Sequence, residues 1–263
     1  MKHSTTILIF FIIIFNIELS ISDDNFELTP PLELSRRPCD RNDLDLDDCL
    51  KNLIQDQIQK NIDGSETLNI PPLEPWSLPK TKYLYSQQNG IRMTLTTENV
   101  QIHGLKRTTI VNVSTKFQND LMSVDMMIHL PKIRMSGNYS AKIRVNDLKI
   151  RPRGKFNMTL SNVLNNMKLT GTIERFNNQR FLKLKKFSLD PIIEDIRFNV
   201  TGIFPADPSL NNVFVQFINS YWRNLYPAII RETKADWEPM LLNATNQFLT
   251  HIPFDNVIKD SKI

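Results

Sequence analysis

Two cysteines, Cys39 and Cys49, stand ten residues apart and are the only cysteines in this 263-residue sequence. Such a pair could be half of a metal site, a redox pair or a disulfide. A zinc site needs two further ligands, and no histidine lies nearby to supply one. A redox pair usually reads C-x-x-C, which this spacing does not match. In an oxidising compartment we expect a disulfide, and closing so short a loop contributes about 2–3 kcal/mol in the chain-entropy model.

The N-terminus indicates which compartment the chain enters. A basic start is followed by an apolar run over residues 7–17 and by small residues at Ser20 and Ser22. This pattern predicts a secretory signal peptide over residues 1–22, because the run is too short for a comfortable membrane span. We therefore expect a secreted, extracellular protein with a single domain over residues 23–263.

Histidines and carboxylates are the other residues that could perform catalysis, but no catalytic motif brings them together. The sequence contains no G-x-S-x-G or H-E-x-x-H motif and no glycine-rich phosphate loop. Beyond the predicted signal peptide the histidines are His103, His129 and His251, and each is interpreted as an ordinary surface residue. We expect no enzyme activity, no cofactor and no metal site. A hydrolase with dispersed catalytic residues is the alternative.

Lysines cluster in the segment FLKLKKF, which places Lys183, Lys185 and Lys186 close together. One interpretation is a solvated strand face, and the other is a weak docking patch for an anionic membrane or an acidic partner. The net charge of +4 permits such attraction without establishing it. Charges of both signs are spread along the chain, so nucleic acid is not an expected partner.

N-x-S/T sequons are a second kind of surface marker. Each one falls between the apolar residues of a predicted strand, or opposite them on a predicted helix, and therefore on the expected solvent face. We interpret these asparagines as candidate glycosylation sites, with a plain surface role as the alternative. They are Asn112, Asn138, Asn157, Asn199 and Asn243.

The cysteine pair leads into a predicted helix. Leu46, Leu50 and Leu53 recur at helical spacing, and aspartates fill the first turn, where the helix dipole favours anions. Gly64 lies just past the expected end of the helix. The connector over residues 69–80 contains four prolines and therefore predicts an extended segment.

From Tyr83 to about Phe204 the hydrophobic period changes to two. The longest alternation covers residues 122–130, and shorter runs repeat the pattern as far as residue 200. One apolar face and one polar face are typical of an antiparallel sheet with one side in water. Short turn signals between the runs predict a meander of neighbouring strands.

After the last alternating run the period returns to that of a helix. Asp207 is the expected N-cap and Pro208 the expected first helical residue. Pro227 and Pro239 interrupt the pattern, so a kink or break is expected near each. An unbroken helix over residues 209–252 would be about 66 Å long, whereas a compact globule of this size is only about 45 Å across. Either the helix breaks or the molecule is elongated along it.

These patterns predict an α+β fold in which a strongly curved antiparallel sheet wraps one long C-terminal helix. The sheet has more apolar surface than one helix covers, so a long internal apolar cavity is expected between them. Methionines in its lining would suit an adaptable site, although the same residues could be plain core. The candidate cavity residues are Met93, Met126, Ile128, Tyr139, Ile143, Phe156, Phe214, Phe217, Tyr221, Trp222, Leu225 and Trp237.

Several segments are informative through their order and spacing rather than through any single motif. They are PCDRNDLDLDDCL, IPPLEPWSL, IHGL, HLPKIRMSGNY, FINSYWRNLYPAI with Asn219 and Trp222, and IPFDNVI. In this order they resemble the insect Takeout and haemolymph juvenile-hormone-binding protein family over essentially the whole mature chain. The sequence departs from the family pattern at Pro152, where a glycine is common, and at Tyr221, where a second asparagine is common.

The resemblance implies an elongated, tubular lipid-binding fold with an internal hydrophobic tunnel. It also implies a carrier for a small hydrophobic ligand such as juvenile hormone, another terpenoid, a fatty acid or a similar lipid, in haemolymph or another extracellular fluid. A monomer is expected. The alternative function is a secreted interaction or defence protein that contacts a lipid or membrane surface, or a receptor, through the basic patch.

Overall fold

The computed structural model describes residues 37–64, 72–86, 91–145, 148–250 and 252–260, so the predicted signal peptide lies outside it. The helices in these ranges are α1 (Leu46–Lys60), α2 (Pro208–Leu249) and α3 (Phe254–Val257), with a 3-10 turn at Leu105–Arg107. The strands are β1 (Cys39–Asp40), β2 (Trp76–Leu78), β3 (Thr81–Ser86), β4 (Ile91–His103), β5 (Thr109–Gln118), β6 (Leu121–Val145), β7 (Leu148–Ile150), β8 (Arg153–Phe176), β9 (Gln179–Val200) and β10 (Ile258–Lys259).

One large antiparallel sheet, as predicted, contains strands β2 to β9. Its order is β2–β4–β6–β8–β9, with β3 also paired to β4, and with β5 and β7 also paired to β6. The three longest strands exceed the predicted alternating runs in length: β6 has 25 residues, β8 has 24 and β9 has 22. At about 3.3 Å per residue, β6 measures about 80 Å along its path. Within the described residues β9 does not pair with β2, so the sheet stays open.

The three longest strands reverse their alternation at one level of the sheet. Two consecutive residues face away from the core at this level on each strand, namely residues 131–132, 161–162 and 194–195. Asn162 adopts a positive φ of 48° there. Because all three strands reverse together, the pairing between them continues without a shift of register at this level. In the sequence the reversal looks like the end of one alternating run and the start of another. Strands β6 and β9 were therefore each predicted as two shorter strands.

Helix α2 is continuous over 42 residues, or about 63 Å. Its start matches the prediction, since Pro208 is the first helical residue and the Asp207 carboxylate accepts hydrogen bonds from two N–H groups of the first turn at 3.0 and 3.1 Å. The expected break at Pro227 or Pro239 does not occur. Side chains on either side of each proline bind β9, and these contacts hold the helix together where its own hydrogen bonds are interrupted.

The buried face of α2 includes only some of the apolar residues of the helix. Ile218 is fully buried and Trp222 is 3% exposed, and Phe214, Val215, Leu225 and Tyr226 pack partly against the same core. Phe217 and Tyr221, two of the predicted cavity residues, are 40% and 53% exposed, and their rings contact each other with centroids 4.8 Å apart. The apolar arc of the helix is therefore wider than the part that the sheet covers, and the spacing of apolar residues alone did not indicate which part that is.

Apolar side chains form two core clusters, one towards each end of the sheet. The helix cluster packs α2 against the sheet, and its buried members include Met93, Leu95, Met135, Tyr139, Phe156, Met158, Ile196, Phe198, Ile218 and Trp222. The disulfide cluster packs α1 and α3 against the sheet, and its buried members are Cys39, Leu46, Leu50, Leu53, Ile110, Val113, Met122, Val124, Met126, Phe254 and Ile258. Ile128 packs against both clusters and marks the region between them.

The predicted disulfide between Cys39 and Cys49 is present, with the two Cα atoms 5.9 Å apart. It joins β1 to the first turn of α1, which begins near the expected position with Asp47 and Asp48 in its first turn. Strand β1 pairs in parallel with β10, so Cys39 lies opposite Ile258. The disulfide therefore fastens the beginning of the described chain to α1 and, through β1, to the C-terminal strand.

Candidate functional site

The inner face of the sheet is the set of positions on β6, β8 and β9 that face the two core clusters. Successive inward positions are two residues apart, except at the reversal described above and at a β-bulge of β9 between Leu184 and Phe187. This definition gives Met122, Val124, Met126, Ile128, Leu130, Ile133, Met135, Gly137, Tyr139, Ala141 and Ile143 on β6, Phe156, Met158, Leu160, Val163, Asn165, Met167, Leu169, Gly171 and Ile173 on β8, and Leu182, Leu184, Phe187, Leu189, Pro191, Ile193, Ile196, Phe198 and Val200 on β9.

Helix α2 lies along the free edge of β9 and binds it through three asparagine side chains. Asn219 accepts a hydrogen bond from the Phe198 N–H and donates one to the Phe198 carbonyl, both at 2.8 Å. Asn246 makes the same pair of bonds with Leu184 at 2.7 and 2.9 Å. Asn211 binds two different residues at the end of β9. Its side chain donates to the carbonyl of Val200, the last residue of the strand, and accepts from the N–H of Ile203 just beyond it. Amide side chains thus provide the hydrogen bonds that a further strand would supply.

Other side chains of α2 continue this edge contact between the asparagines. Tyr226 donates to the Pro191 carbonyl at 2.9 Å, and Glu238 accepts from the N–H of Leu189 at 3.1 Å. Burial, assisted by the charge of Asp190, raises the pKa of the Tyr226 hydroxyl. Lys234 forms an ion pair with Asp190 and lies 3.4 Å from Glu238. The helix is therefore bound to β9 from its first turns to its last.

The lengths of the two elements explain why they match. From Asn211 to Asn246 the helix rises about 52 Å at 1.5 Å per residue. The corresponding stretch of β9, residues 184–200, covers about 53 Å at 3.3 Å per residue. Because these distances agree, α2 can bind one edge of the sheet along its length while its apolar side faces the inner surface.

The predicted cavity residues occupy three kinds of position. Buried in the clusters are Met93, Met126, Tyr139, Ile143, Phe156 and Trp222. Partly buried against them are Ile128, Phe214 and Leu225. Phe217 and Tyr221 are exposed on the flank of α2, as described above. Trp237 lies in α2, and its side chain is outside the described part of the structure.

Polar groups are scarce on the inner face. Among the positions that define it, Tyr139 and Asn165 are the two with a polar side chain, and none carries a charge. The Tyr139 hydroxyl donates to the Thr201 carbonyl at 2.8 Å, and burial raises its pKa. Sequence reasoning did not single out Asn165. A polar residue at an inward position, between Val163 and Met167, was the signal that could have found it.

These features agree with the comparison to known proteins. The profile of the haemolymph juvenile hormone binding protein family matches residues 15–259. The chain belongs to this family. The crystal structure of Epiphyas postvittana Takeout 1 matches with a TM-score of 0.64 and 19% identity, over 85% of this chain and all of that one. The fold of this family, a large curved antiparallel sheet with a helix packed on it, is therefore the fold of this chain.

Two further comparisons add less. A crystal structure of lipopolysaccharide binding protein matches with a TM-score of 0.32 and 14% identity, over 74% of this chain and 36% of that one. A comparison with curated protein sequences finds no match. The resemblance of the sequence to the Takeout and juvenile hormone binding family is thus confirmed by the family profile and by the Takeout 1 fold.

The basic patch of this family member is partly neutralised. Glu174, on the adjacent strand β8, lies 2.9 Å from the Lys185 ammonium and 3.8 Å from that of Lys183. The hydrogen bond from Lys185 is the main reason that the pKa of Glu174 is lowered. A carboxylate among the lysines reduces the field that would attract an anionic surface.

A network of ion pairs lies on the surface at the end of the molecule that contains the disulfide. Arg180 forms ion pairs with Asp255 and Asp260, and Arg41 lies 3.5 Å from Asp260. The pKa of Arg180 is raised, chiefly by its hydrogen bond with Asp255. The pKa of Asp260 is lowered, chiefly by its hydrogen bond from Arg180. The network links the β8–β9 turn to both ends of the described chain.

His103 is part of a local cluster rather than an isolated surface residue. Its Nδ1 lies 3.3 Å from the Glu74 carboxylate, which also accepts hydrogen bonds from the N–H groups of Gly104 at 2.8 Å and Lys106 at 3.3 Å. This arrangement ties the segment before β2 to the turn after β4.

In the described ranges no helix is both long and apolar enough to cross a membrane.

Proposed function

We propose that this protein is a secreted carrier that encloses a small hydrophobic ligand between α2 and the inner face of the sheet. The observation that carries the proposal is the inner face itself, which is apolar along three long strands except at Tyr139 and Asn165. Membership of the juvenile hormone binding family supports a ligand-binding carrier over an enzyme. The proposal covers residues 23–263 as one domain acting as a monomer.

Binding in such a site would come from burial rather than from chemistry. Burying about 300 Å² of apolar ligand surface contributes about 7.5 kcal/mol at 25 cal/mol per Å², before the loss of translational and rotational freedom is subtracted. Met126, Met135, Met158 and Met167 lie on the inner face, and their flexible side chains can adapt to ligands of different shape. We propose that the predicted cavity residues line the site, with exposed Phe217 and Tyr221 at its open flank.

Secretion is supported by independent features of the chain. The disulfide is typical of an oxidising compartment. Four of the sequon asparagines, Asn112, Asn157, Asn199 and Asn243, are exposed, and Asn138 is partly exposed. All of them are therefore accessible for the glycans that we propose.

Native mass spectrometry of the protein purified from a secreting eukaryotic host tests the carrier function. We expect an extra mass that organic extraction removes and that added terpenoid, fatty acid or quinone restores. The inner-face variant Met167→Gln should weaken binding, because it puts an amide of similar size among apolar side chains. The matched control Lys168→Gln changes the outward neighbour and should bind normally. A folded protein that is empty and binds none of these probes would contradict the proposal.

The alternative, a surface-binding interaction protein, receives less support because Glu174 lies among the lysines. This alternative predicts that activity depends on the lysines of the basic patch and not on the inner face. Changing Lys183, Lys185 and Lys186 to glutamate would abolish the activity of such a protein, whereas Met167→Gln would leave it intact.

A further inference from the structure

Asn165 occupies the middle of the inner face. It lies half-way along β8, with Ile128 opposite it on β6 and Pro191 opposite it on β9. Directly opposed residues on antiparallel strands point to the same side of a sheet, so the three side chains share the inner face. Ile128 packs against both core clusters, and Pro191 is buried. The Asn165 amide therefore projects between the two clusters from an otherwise apolar surface.

The Asn165 side chain makes no hydrogen bond to any residue that the structure describes, and it is only partly buried. The other polar group among the inward positions of β6, β8 and β9, the Tyr139 hydroxyl, has its partner in the Thr201 carbonyl. An amide offers two donors and one acceptor oxygen, and a ligand that displaces solvent from this partly buried side chain has to supply their partners or leave them unpaired at a cost. A ligand that reaches the middle of the inner face would therefore meet one polar group with free hydrogen-bonding capacity.

We propose that Asn165 is the specificity-determining residue of the ligand site and that it selects lipophilic ligands with a neutral oxygen function, such as an ester, ketone or alcohol. The amide N–H₂ donates to the carbonyl or hydroxyl oxygen of the ligand, while the apolar parts lie along the strand on either side. This inference rests on the proposed carrier function and narrows its ligand class.

The same surface disfavours ionised ligands. No position that defines the inner face carries a lysine, arginine or histidine, so the described strands offer no cation to balance a buried carboxylate. A neutral amide compensates an anion only weakly, and an unpaired buried charge is far more costly than an unpaired dipole. Free fatty acids and other ionised acids are therefore expected to bind less well than neutral esters of the same chain.

Binding of three related terpenoids by the full-length secreted protein tests this inference. The probes are farnesyl acetate, which carries an ester, farnesene, which is a hydrocarbon, and farnesoic acid, which is an anion at neutral pH. Displacement of a fluorescent naphthylamine measures each affinity. In Asn165→Leu, farnesyl acetate should bind about two- to tenfold more weakly, the factor expected for one hydrogen bond, while farnesene binding is unchanged or tighter.

Asn166→Leu is the matched control, because Asn166 is the next residue of β8 and faces outward. It should leave both affinities unchanged. A spectroscopic readout accompanies the affinities, since the ester carbonyl band of bound farnesyl acetate should shift to lower wavenumber in the wild-type protein and in Asn166→Leu but not in Asn165→Leu. If Asn165→Leu does not fold, as judged by circular dichroism, Asn165→Ala takes its place in the same comparison.

The outcomes separate this inference from the carrier function. A wild-type protein that binds none of the probes overturns the carrier function itself. Equal losses of ester and hydrocarbon binding in Asn165→Leu, or farnesoic acid binding as tightly as the ester, would overturn the role of Asn165 and leave the carrier function standing. A selective loss of ester binding with loss of the carbonyl shift supports it.

Discussion

The side-chain amide of Asn219 pairs with the backbone of Phe198 in both directions, each hydrogen bond being 2.8 Å long. Because β9 is an edge strand, these backbone groups would otherwise face solvent or a neighbouring molecule. Asn246 repeats the pairing at Leu184, near the other end of the helix. The helix thus replaces a missing strand with side chains, and it is fixed in register with β9 as a strand would be.

Replacing Asn219 should therefore loosen the edge. Asn219→Ala removes both hydrogen bonds to the backbone of Phe198, so we expect a loss of about 1–3 kcal/mol in the free energy of unfolding. Urea denaturation followed by circular dichroism measures it. Asn224→Ala is the matched control, because this exposed residue of the same helix gains the same helix propensity. Equal stabilities of the two variants would contradict the edge-pairing role.

The orientation of α2 makes a second prediction. Ile218 is fully buried and its neighbour Phe217 is 40% exposed. Ile218→Ala should cost about 2–5 kcal/mol through lost burial and the cavity left behind, whereas Phe217→Ala should cost less than about 1 kcal/mol. Thermal and urea denaturation of the two variants decide between this orientation and one in which Phe217 faces the sheet, which would make Phe217→Ala the more damaging change.

Glu74 should contribute a pH-dependent part of the stability. Burial raises the pKa of its carboxyl, but hydrogen bonds from the N–H groups of Gly104 and Lys106 and from His103 outweigh burial, and the net pKa is lowered. A pKa below its unfolded value means that the contribution is present above the ordinary carboxyl range and is lost as the pH falls through the folded pKa. Glu74→Gln should therefore be less stable by about 1–2 kcal/mol near neutral pH.

The gap between Glu74→Gln and the wild-type protein should narrow as the pH is lowered from about 7 to about 3. Urea midpoints across this range measure it. Glu98→Gln is the control, since Glu98 is a half-exposed partner of Lys80 on the surface of the same strand region. A constant gap across the range would show that the Glu74 charge does not matter.

The disulfide should stabilise one end of the molecule more than the whole. Its loop of ten residues predicts a loss of about 2–3 kcal/mol in the double variant Cys39→Ser/Cys49→Ser. Hydrogen exchange should speed up in α1, β1 and β10, while the amides of α2 near Ile218 stay protected. Uniformly faster exchange would mean that the disulfide holds the entire fold. If ligand enters at this end, its dissociation should also become faster.

The local elements of the fold could be predicted because local rules determine them. The dipole-favoured aspartates of α1, the Asp207 cap of α2 and the alternation of the strands all appeared where expected. The continuity of α2 through Pro227 could not be predicted, because it depends on side-chain contacts with β9. The full length of β6 could not be predicted either. Its reversal of alternation is matched on the neighbouring strands, but in the sequence of β6 alone it looks like the end of a strand.

The candidate site was predictable in composition but not in detail. Most of the selected cavity residues lie in or against the two clusters, because apolar residues at alternate positions had to face the core. The exposed position of Phe217 and Tyr221 on the flank of α2 could not be predicted, because a helix with a wide apolar arc gives no local signal of where its partner ends. The roles of Asn211, Asn219 and Asn246 depend on how the helix and β9 align, which is a property of the tertiary structure.

The reversal shared by β6, β8 and β9 has a consequence for how such a chain can change over time. Deleting one residue from a single strand, for example Asn162 of β8, would turn every later side chain of that strand to the opposite side and expose its apolar half to water. A matching deletion in both neighbours would be needed to restore the pattern. Insertions and deletions are therefore expected to accumulate at the hairpin tips, such as residues 177–178, and to be excluded from the level of residues 131, 162 and 194.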